Sequence, residues 1–297
     1  MLFRLRRDAA KAFYRWRCAK IDETAPLKPT SANLVFVSMV SHADLLMYLV
    51  AIKSIYNWIG CGQIVVLNDG SLTDADKARL EQHLGDPAII DIATVDTGGC
   101  PRGGCWERLL AIVDQSANAY VVQVDSDLLA VADLPEILEA VRQNRSFVLS
   151  TKMGRQVIAL SAAEEAVRSS QSAHVQILAE QNFPRLGYEG RRYIRGCAGF
   201  SGFARGSLSR STLETFSRDM QSLIGDKWLE WGSEQVASNY LVANDSEPIV
   251  LPYPKYANYD PGLGGDGTHL YHFIGDHRFT GGRYIELSRR VIAGLLK

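Results

Sequence analysis

The chain has 297 residues, of which 46% are hydrophobic and 22% charged, and its formal net charge at pH 7 is −1. That apolar fraction fills a substantial core without covalent staples, and α/β sheets of this length often fold as one unit. The near-neutral balance excludes general polyanion binding, so no nucleic-acid partner is expected.

Residues 1–20 carry seven Lys or Arg against one acid, Asp8. Leu2, Leu5, Ala9, Phe13 and Trp16 recur at three- and four-residue spacing, which predicts a basic amphipathic helix with these side chains on one face. The segment lacks the apolar h-region of a secretory signal, and no apolar run reaches the roughly 18 residues of a membrane span. A cytoplasmic protein is expected, with residues 1–20 either in peripheral contact with an anionic inner membrane face or packed on the protein itself. Five scattered cysteines, Cys18, Cys61, Cys100, Cys105 and Cys197, form neither a disulfide framework nor a paired zinc motif and read as free thiols.

Pro26–Thr30 reads as a short linker. Beyond it, Asn33–Val40 is a predicted strand, Leu45–Trp58 a helix and Gln63–Leu67 a second strand. Asn68-Asp69-Gly70-Ser71 closes that strand with turn chemistry. Thr73 caps a predicted helix through Leu84, stopped at Gly85, and Asp74 and Asp76 suit its first turn. A short strand, Ala88–Ile92, precedes the Gly-rich loop Thr97–Gly104 and a helix over Trp106–Ala117. Tyr120–Val124 is a strand, and a helix follows over Leu134–Gln143. Alternation of this kind predicts βαβ units with a mostly parallel sheet. The second part of the chain is more mixed. It reads as a helix over Ala162–Glu180, a Gly-interrupted strand or strand pair over Tyr193–Ala204, and a helix over Leu213–Ile224. A last helix covers Glu234–Val242 with Ser233 as its cap, and irregular chain then runs to His269.

Two clusters carry chemistry. Val121-Val122-Gln123-Val124-Asp125-Ser126-Asp127 is a buried strand that delivers two carboxylates at its C-terminal end, where α/β folds bind ligands. Mg²⁺ and Mn²⁺ are commonly held by one or two carboxylates together with substrate phosphates. The second cluster is Tyr271-His272-Phe273-Ile274-Gly275-Asp276-His277-Arg278. Here an imidazole suits Mn²⁺, Gly275 lets backbone approach a phosphate, and Arg278 offers a forked donor. Gly262-Leu263-Gly264-Gly265-Asp266-Gly267 matches the dinucleotide fingerprint in letters only, since no βαβ unit surrounds it, and reads as a loop that orders over bound nucleotide.

Asp125-Ser126-Asp127 with His272-x-x-Gly275-x-x-Arg278 resembles the paired motifs of metal-dependent GT-A glycosyltransferases. The closest likeness is to family 8, the glycogenin and bacterial lipopolysaccharide glycosyltransferases, in which the His joins the two acids on Mn²⁺. Glu107-Arg108-Leu109 is similar to the family's helix entry, where the Arg faces the donor. Cys197-Ala198-Gly199-Phe200 resembles its acceptor-side strand, and Glu234-Gln235 stands where the family has Asp-Gln near the anomeric carbon. Arg278 replaces the family's Lys, Phe279-Thr280 replaces its Pro-Trp, and Asn68-Asp69-Gly70-Ser71 looks more like the base-contacting loop of inverting family 2.

The resemblance implies an α/β fold of GT-A type, with a mostly parallel nucleotide-binding sheet flanked by helices and a mixed acceptor-side half. It divides the chain into residues 1–30, segment and linker, and a single catalytic domain at 31–297, nucleotide-binding over 31–150 and acceptor-binding over 151–297. Transfer from a nucleoside-diphosphate sugar, UDP-sugar favoured, to a glycan or lipid-linked saccharide hydroxyl is implied, with retention favoured. Asp125, Asp127 and His272 would hold Mn²⁺ or Mg²⁺. Asp69, Arg108, Asp125, Asp127, Gly275 and Arg278 would bind the donor. Glu234 and Gln235 would be catalytic: Glu234 is a general base if the reaction inverts, and either lines the sugar if it retains. The competing readings are a sugar nucleotidyltransferase, against which Ser38-Met39-Val40-Ser41-His42 lacks the usual Gly-rich loop, and a non-catalytic glycan-binding relative.

Overall fold

The computed structural model describes residues 2–30, 33–263 and 267–297, with side chains from Ala9 onward. The side chains of Leu2 and Leu5, and Gly264–Asp266 of the Gly-rich loop with its expected ordering over nucleotide, lie outside the described residues. In chain order the elements begin with helix α1 (Leu2–Cys18), strand β1 (Leu34–Val40), α2 (Leu45–Ile59), β2 (Gln63–Asn68), α3 (Asp74–Leu84) and β3 (Ala88–Asp91). They continue with α4 (Trp106–Ser116), β4 (Tyr120–Val124), β5 (Leu128–Ala130), α5 (Pro135–Gln143), β6 (Phe147–Leu149), β7 (Ile158–Ala159), α6 (Leu160–Glu165) and α7 (Val175–Asn182). Then come β8 (Arg192–Tyr193), β9 (Cys197–Phe203), α8 (Arg210–Ile224), α9 (Ser233–Ala243), β10 (Ile249–Val250), β11 (Tyr256–Asn258), β12 (Leu270–His272) and α10 (Arg283–Leu295). The fold is mixed α/β with mostly parallel sheet strands flanked by helices, as expected. No described helix is long and apolar enough to cross a membrane.

The chain forms two compact units that interleave in sequence. One comprises residues 1–91, 124–138 and 254–297, the other 92–123 and 139–253. Each therefore draws on segments from both sides of residue 150.

In the first unit β1, β2 and β3 pair in parallel, with Val40 opposite Asn68 and Asn68 opposite Asp91, so their C-terminal ends lie together. β1 and β2 are almost wholly buried, and this explains their continuous apolar runs. A second sheet, ordered β11-β12-β5, joins the C-terminal part of the chain to the segment after the two aspartates. The chain after Asp127 thus enters a short strand before any helix. Apolar Leu128-Leu129-Ala130 is fully buried there and needs a sheet partner for its backbone.

The second unit orders its strands β10-β6-β9-β4, with β10 parallel and β9 antiparallel to β6. The Gly-interrupted segment expected over Tyr193–Ala204 forms two strands here, β8 and β9. Gly202 lacks a side chain because one would collide with the Phe147 ring and the Tyr120 hydroxyl. The single helix expected over Ala162–Glu180 is two, α6 and α7, broken in the stretch that holds Ser169, Ser170 and Ser172, poor helix formers.

Helix α3 begins as the sequence predicts. Thr73 Oγ1 accepts from the Asp76 backbone N–H, and Asp76 accepts from the Thr73 N–H at 2.8 Å, a reciprocal capping box. Burial pushes the Asp76 carboxyl up, but His42 at 2.7 Å and the Thr73 groups more than reverse this and hold it below the usual carboxylate range. A carboxyl depressed on folding stabilises above its unfolded pKa, and the contribution is lost as pH falls through the folded value. Asp76→Asn should therefore cost about 1 kcal/mol in urea unfolding at pH 7 and flatten the loss of stability below about pH 4.

α1 forms as expected, but the seam it packs on the protein is not the predicted apolar face. Tyr14 and Cys18 are the buried seam, whereas Phe13 and Trp16 are 44% and 70% exposed. Tyr14 stacks on Tyr284 of α10, with centroids 4.9 Å apart, and its hydroxyl donates to Ser288 Oγ at 3.0 Å. A phenol whose hydroxyl finds a hydrogen-bond partner is accommodated in the interior at little cost.

Candidate metal and donor site

β4 ends at Val124 and releases the chain into a turn in which Leu128 N–H donates to Asp125 O at 3.3 Å. The turn presents Asp125 and Asp127 from one end of the strand. β12 then runs antiparallel to β5, with His272 opposite Leu128, and Phe273 N–H donates to Asp127 O at 3.0 Å. Sheet register therefore places the imidazole beside the carboxylates. His272 Nε2 lies 2.9 Å from Asp127 Oδ1 and 3.8 Å from Asp125 Oδ2. One ligand atom from each of the three falls within 4.8 Å of the others, and no second such trio of His, Cys, Asp or Glu occurs among the described residues.

Two carboxylate oxygens and one imidazole nitrogen, with no thiolate, fit Mn²⁺ or Mg²⁺ better than a structural zinc. Asp127 and His272 are buried, and Asp125 is half-buried. Burial raises the Asp127 carboxyl, but the imidazole of His272, then the guanidinium of Arg278, outweigh it and keep the group below the ordinary range. Arg278 Nη1 is 3.5 Å from Asp127 Oδ2, and its Nε donates to Gly275 O at 3.0 Å. Gly275 itself has φ +59°, a left-handed conformation in which a side chain is strained. Four of the expected residues, Asp125, Asp127, His272 and Arg278, thus meet in one unit, with Gly275 bonded to the last of them.

One participant has no signature in the sequence. Asn258 of β11 lies opposite His272 in the parallel β11–β12 register, and its Oδ1 accepts from His272 Nδ1 at 3.1 Å. That contact orients the ring with Nε2 toward the carboxylates, an outer-shell role that commonly contributes ten- to a hundredfold to metal affinity. Asn258→Ala should weaken Mn²⁺ binding by about that factor in calorimetric titration, while the melting temperature of the metal-free protein moves little.

Asp69 stands exposed just past β2, where its Oδ1 accepts from the Ser71 N–H and hydroxyl at 2.9 and 2.6 Å. Ser71 Oγ in turn accepts from His42 N–H at 2.9 Å, so the loop is tied to the end of β1. Asp69 is a solvent-exposed acceptor bonded within its own loop.

The other expected residues belong to the second unit and form their own cluster. Arg108 Nη2 lies 3.4 Å from Glu234 Oε1, with both side chains buried. Gln235 Oε1 accepts from Ala198 N–H at 3.3 Å, and its Nε2 donates to Gln176 Oε1 at 3.4 Å. The helix entry, the acceptor-side strand and Glu234-Gln235 are therefore neighbours. Ser233 is corrected: Gly232, with φ +103°, is the cap of α9, and Ser233 opens the helix itself. Its hydroxyl donates to Glu230 O and accepts from Trp106 Nε1 at 2.9 Å, which draws it away from capping. Gln176 was not foreseen, because it lies in the stretch misread as one long helix.

No family model and no curated protein matches the sequence. Solved structures do share its fold. A galactosyltransferase, LgtC, in complex with donor and acceptor sugar analogues matches at 14% identity and a TM-score of 0.51, over 86% of this chain and 95% of that one. The chain has a GT-A glycosyltransferase fold. The bifunctional glycosyltransferase WbbM matches at 16% identity and a TM-score of 0.51, over 84% of this chain and 47% of that one. At such identities the likeness establishes the GT-A fold and leaves the chemistry to be argued from the residues.

Proposed function

We propose that the protein is a metal-dependent glycosyltransferase that moves a sugar from a nucleoside-diphosphate sugar, a UDP-sugar favoured, to a hydroxyl of a glycan or glycolipid. Convergence of Asp125, Asp127 and His272 within a GT-A fold carries this reading. Those three side chains would hold Mn²⁺ or Mg²⁺, and the cation would supply positive charge to the departing diphosphate. Arg278, already turned toward Asp127, would offer a guanidinium to the same phosphate oxygens, and Gly275 leaves space for them above the backbone. Asp69 would accept from the base or ribose. Arg108 would steady the donor, while Glu234 and Gln235 would line the transferred sugar in a transfer read as retaining, and the Arg108–Glu234 contact at 3.4 Å keeps the two side chains together.

Residues 31–297 would serve as the catalytic domain. The acceptor is read as a cell-envelope glycan or lipid-linked saccharide, met at the cytoplasmic face of a membrane to which residues 1–20 attach peripherally.

A thermal-shift panel of UDP, GDP and CDP sugars with Mn²⁺ or EDTA tests the donor site. A ligand at a hundredfold over its dissociation constant adds about 2.7 kcal/mol, or about 5–10 °C here. The shift should require metal, and sugar release from the responding donor should accompany it. A shift that is indifferent to EDTA with every nucleotide sugar rejects the reading, and pyrophosphate release from a nucleoside triphosphate would replace it with nucleotidyl transfer.

A further inference from the structure

Helix α10 is bordered by two shallow grooves, each pairing a tryptophan with an arginine. One, of about 540 Å³, is lined by Trp16, Arg17, Lys20, Arg289, Ile292 and Leu296 among others, where α1 lies along α10. The other, of about 290 Å³, holds Trp58, Arg290, Val291 and Leu295 on the opposite flank. No acidic side chain lines either groove. Between them α10 and the residues just after it present Arg289, Arg290 and Lys297, all exposed.

Several apolar side chains here are exposed among the described residues. Trp16 is 70% exposed, and Phe13, Trp58 and Leu296 are each more than 40% exposed. Arg17 lies over the rings of both Phe13 and Trp16, at 5.5 and 5.7 Å, so cation and indole form one amphipathic unit. Half-exposed tryptophans beside arginines match the headgroup layer of a bilayer, where the ring meets acyl carbon and the cation meets phosphate. The exposed acid of α10, Glu286, is paired with Arg283 at 2.9 Å, so Arg17, Lys20, Arg289 and Arg290 around the acid-free grooves leave the face net cationic and suited to an anionic layer.

We propose that α10, with the grooves on its two flanks, is a docking face for an anionic membrane surface. This rests on the peripheral attachment read above for residues 1–20 and extends it. The C-terminal helix supplies half of the contact, and α1 is held against it by Tyr14 and Tyr284 rather than swinging free. Attachment through a docked pair of helices sets the orientation of the unit that carries Asp125, Asp127 and His272, which a loose N-terminal tether would not do.

Vesicle sedimentation of the full chain tests it, with phosphatidylcholine alone against phosphatidylcholine containing phosphatidylglycerol. The wild-type protein should bind only the anionic vesicles at 0.1 M salt and release at 0.5 M. Arg289→Gln with Arg290→Gln should lower partitioning about tenfold or more, while its donor-dependent thermal shift stays that of the wild type. Trp16→Ser should weaken binding independently. Wild-type partitioning in the double arginine variant, with loss only in Trp16→Ser, confines attachment to α1 and overturns the composite face. Failure of the wild type to bind any vesicle overturns both readings. A dimer that the double arginine variant dissociates, without vesicle binding, makes the occupant a second copy and overturns the membrane assignment.

Discussion

Asp127→Asn should abolish metal-dependent nucleotide-sugar binding and lower transfer by about a thousandfold or more. Asp127 is the group on which the cluster turns, since His272 Nε2 at 2.9 Å and Arg278 Nη1 at 3.5 Å both address it. Asparagine preserves the shape but removes the negative charge. It also replaces one acceptor oxygen with an amide donor that faces other donors. A cation on a leaving phosphate contributes several kcal/mol to the transition state, and each 1.36 kcal/mol is a factor of ten. Calorimetry of Mn²⁺ with the responding sugar nucleotide, alongside turnover of the same donor, measures both effects. Wild-type turnover in this variant, or wild-type turnover that survives EDTA, would sink the metal-site assignment.

The second large effect concerns the buried pair Arg108 and Glu234. Their desolvation makes the pair weak evidence for stability, but removal of one partner alone is costly. Arg108→Met should destabilise the protein by about 3–5 kcal/mol in urea unfolding, because it withdraws the guanidinium that faces a buried carboxylate. Arg108→Met combined with Glu234→Leu should recover most of that loss, since two apolar side chains of similar volume need no counter-charge. The double variant separates architecture from chemistry. If the two residues serve the donor and the transferred sugar, it folds well and transfers poorly. Full activity in a stable double variant would remove both from the site, and a neutral single variant would show the ion pair to be of no structural consequence.

Much of the local structure was legible in the chain. Val121–Val124 announced a buried strand because Val121, Val122 and Val124 place apolar side chains on both faces, and the paired acids stand just past its end. Thr73 with Asp76 spelled a capping box, and Gly85, at φ +67°, closed the same helix as expected. The resemblance of Asp125-x-Asp127 and His272-x-x-Gly275-x-x-Arg278 to a GT-A pair identified the fold that the structure then displayed. The misreadings have local causes too. The stretch Ala162–Glu180 kept a helical apolar spacing across a serine-rich break, and Ser233 satisfied a cap rule while its hydroxyl was claimed by Trp106 and Glu230.

By itself the sequence determined elements whose signals lie within a turn or two: strands, caps, stops and which side chains a candidate site could offer. Only the tertiary structure decided which groups meet. That β12 pairs with β5 so as to set His272 against Asp127, that Asn258 orients the imidazole, and that α1 docks by Tyr14 and leaves Trp16 outside all depend on sheet register and helix packing between distant segments. Spacing along the chain encodes periodicity, but a strand's register shifts by whole residues without altering its own pattern. Pairing across the fold is therefore settled by the joint packing of both partners.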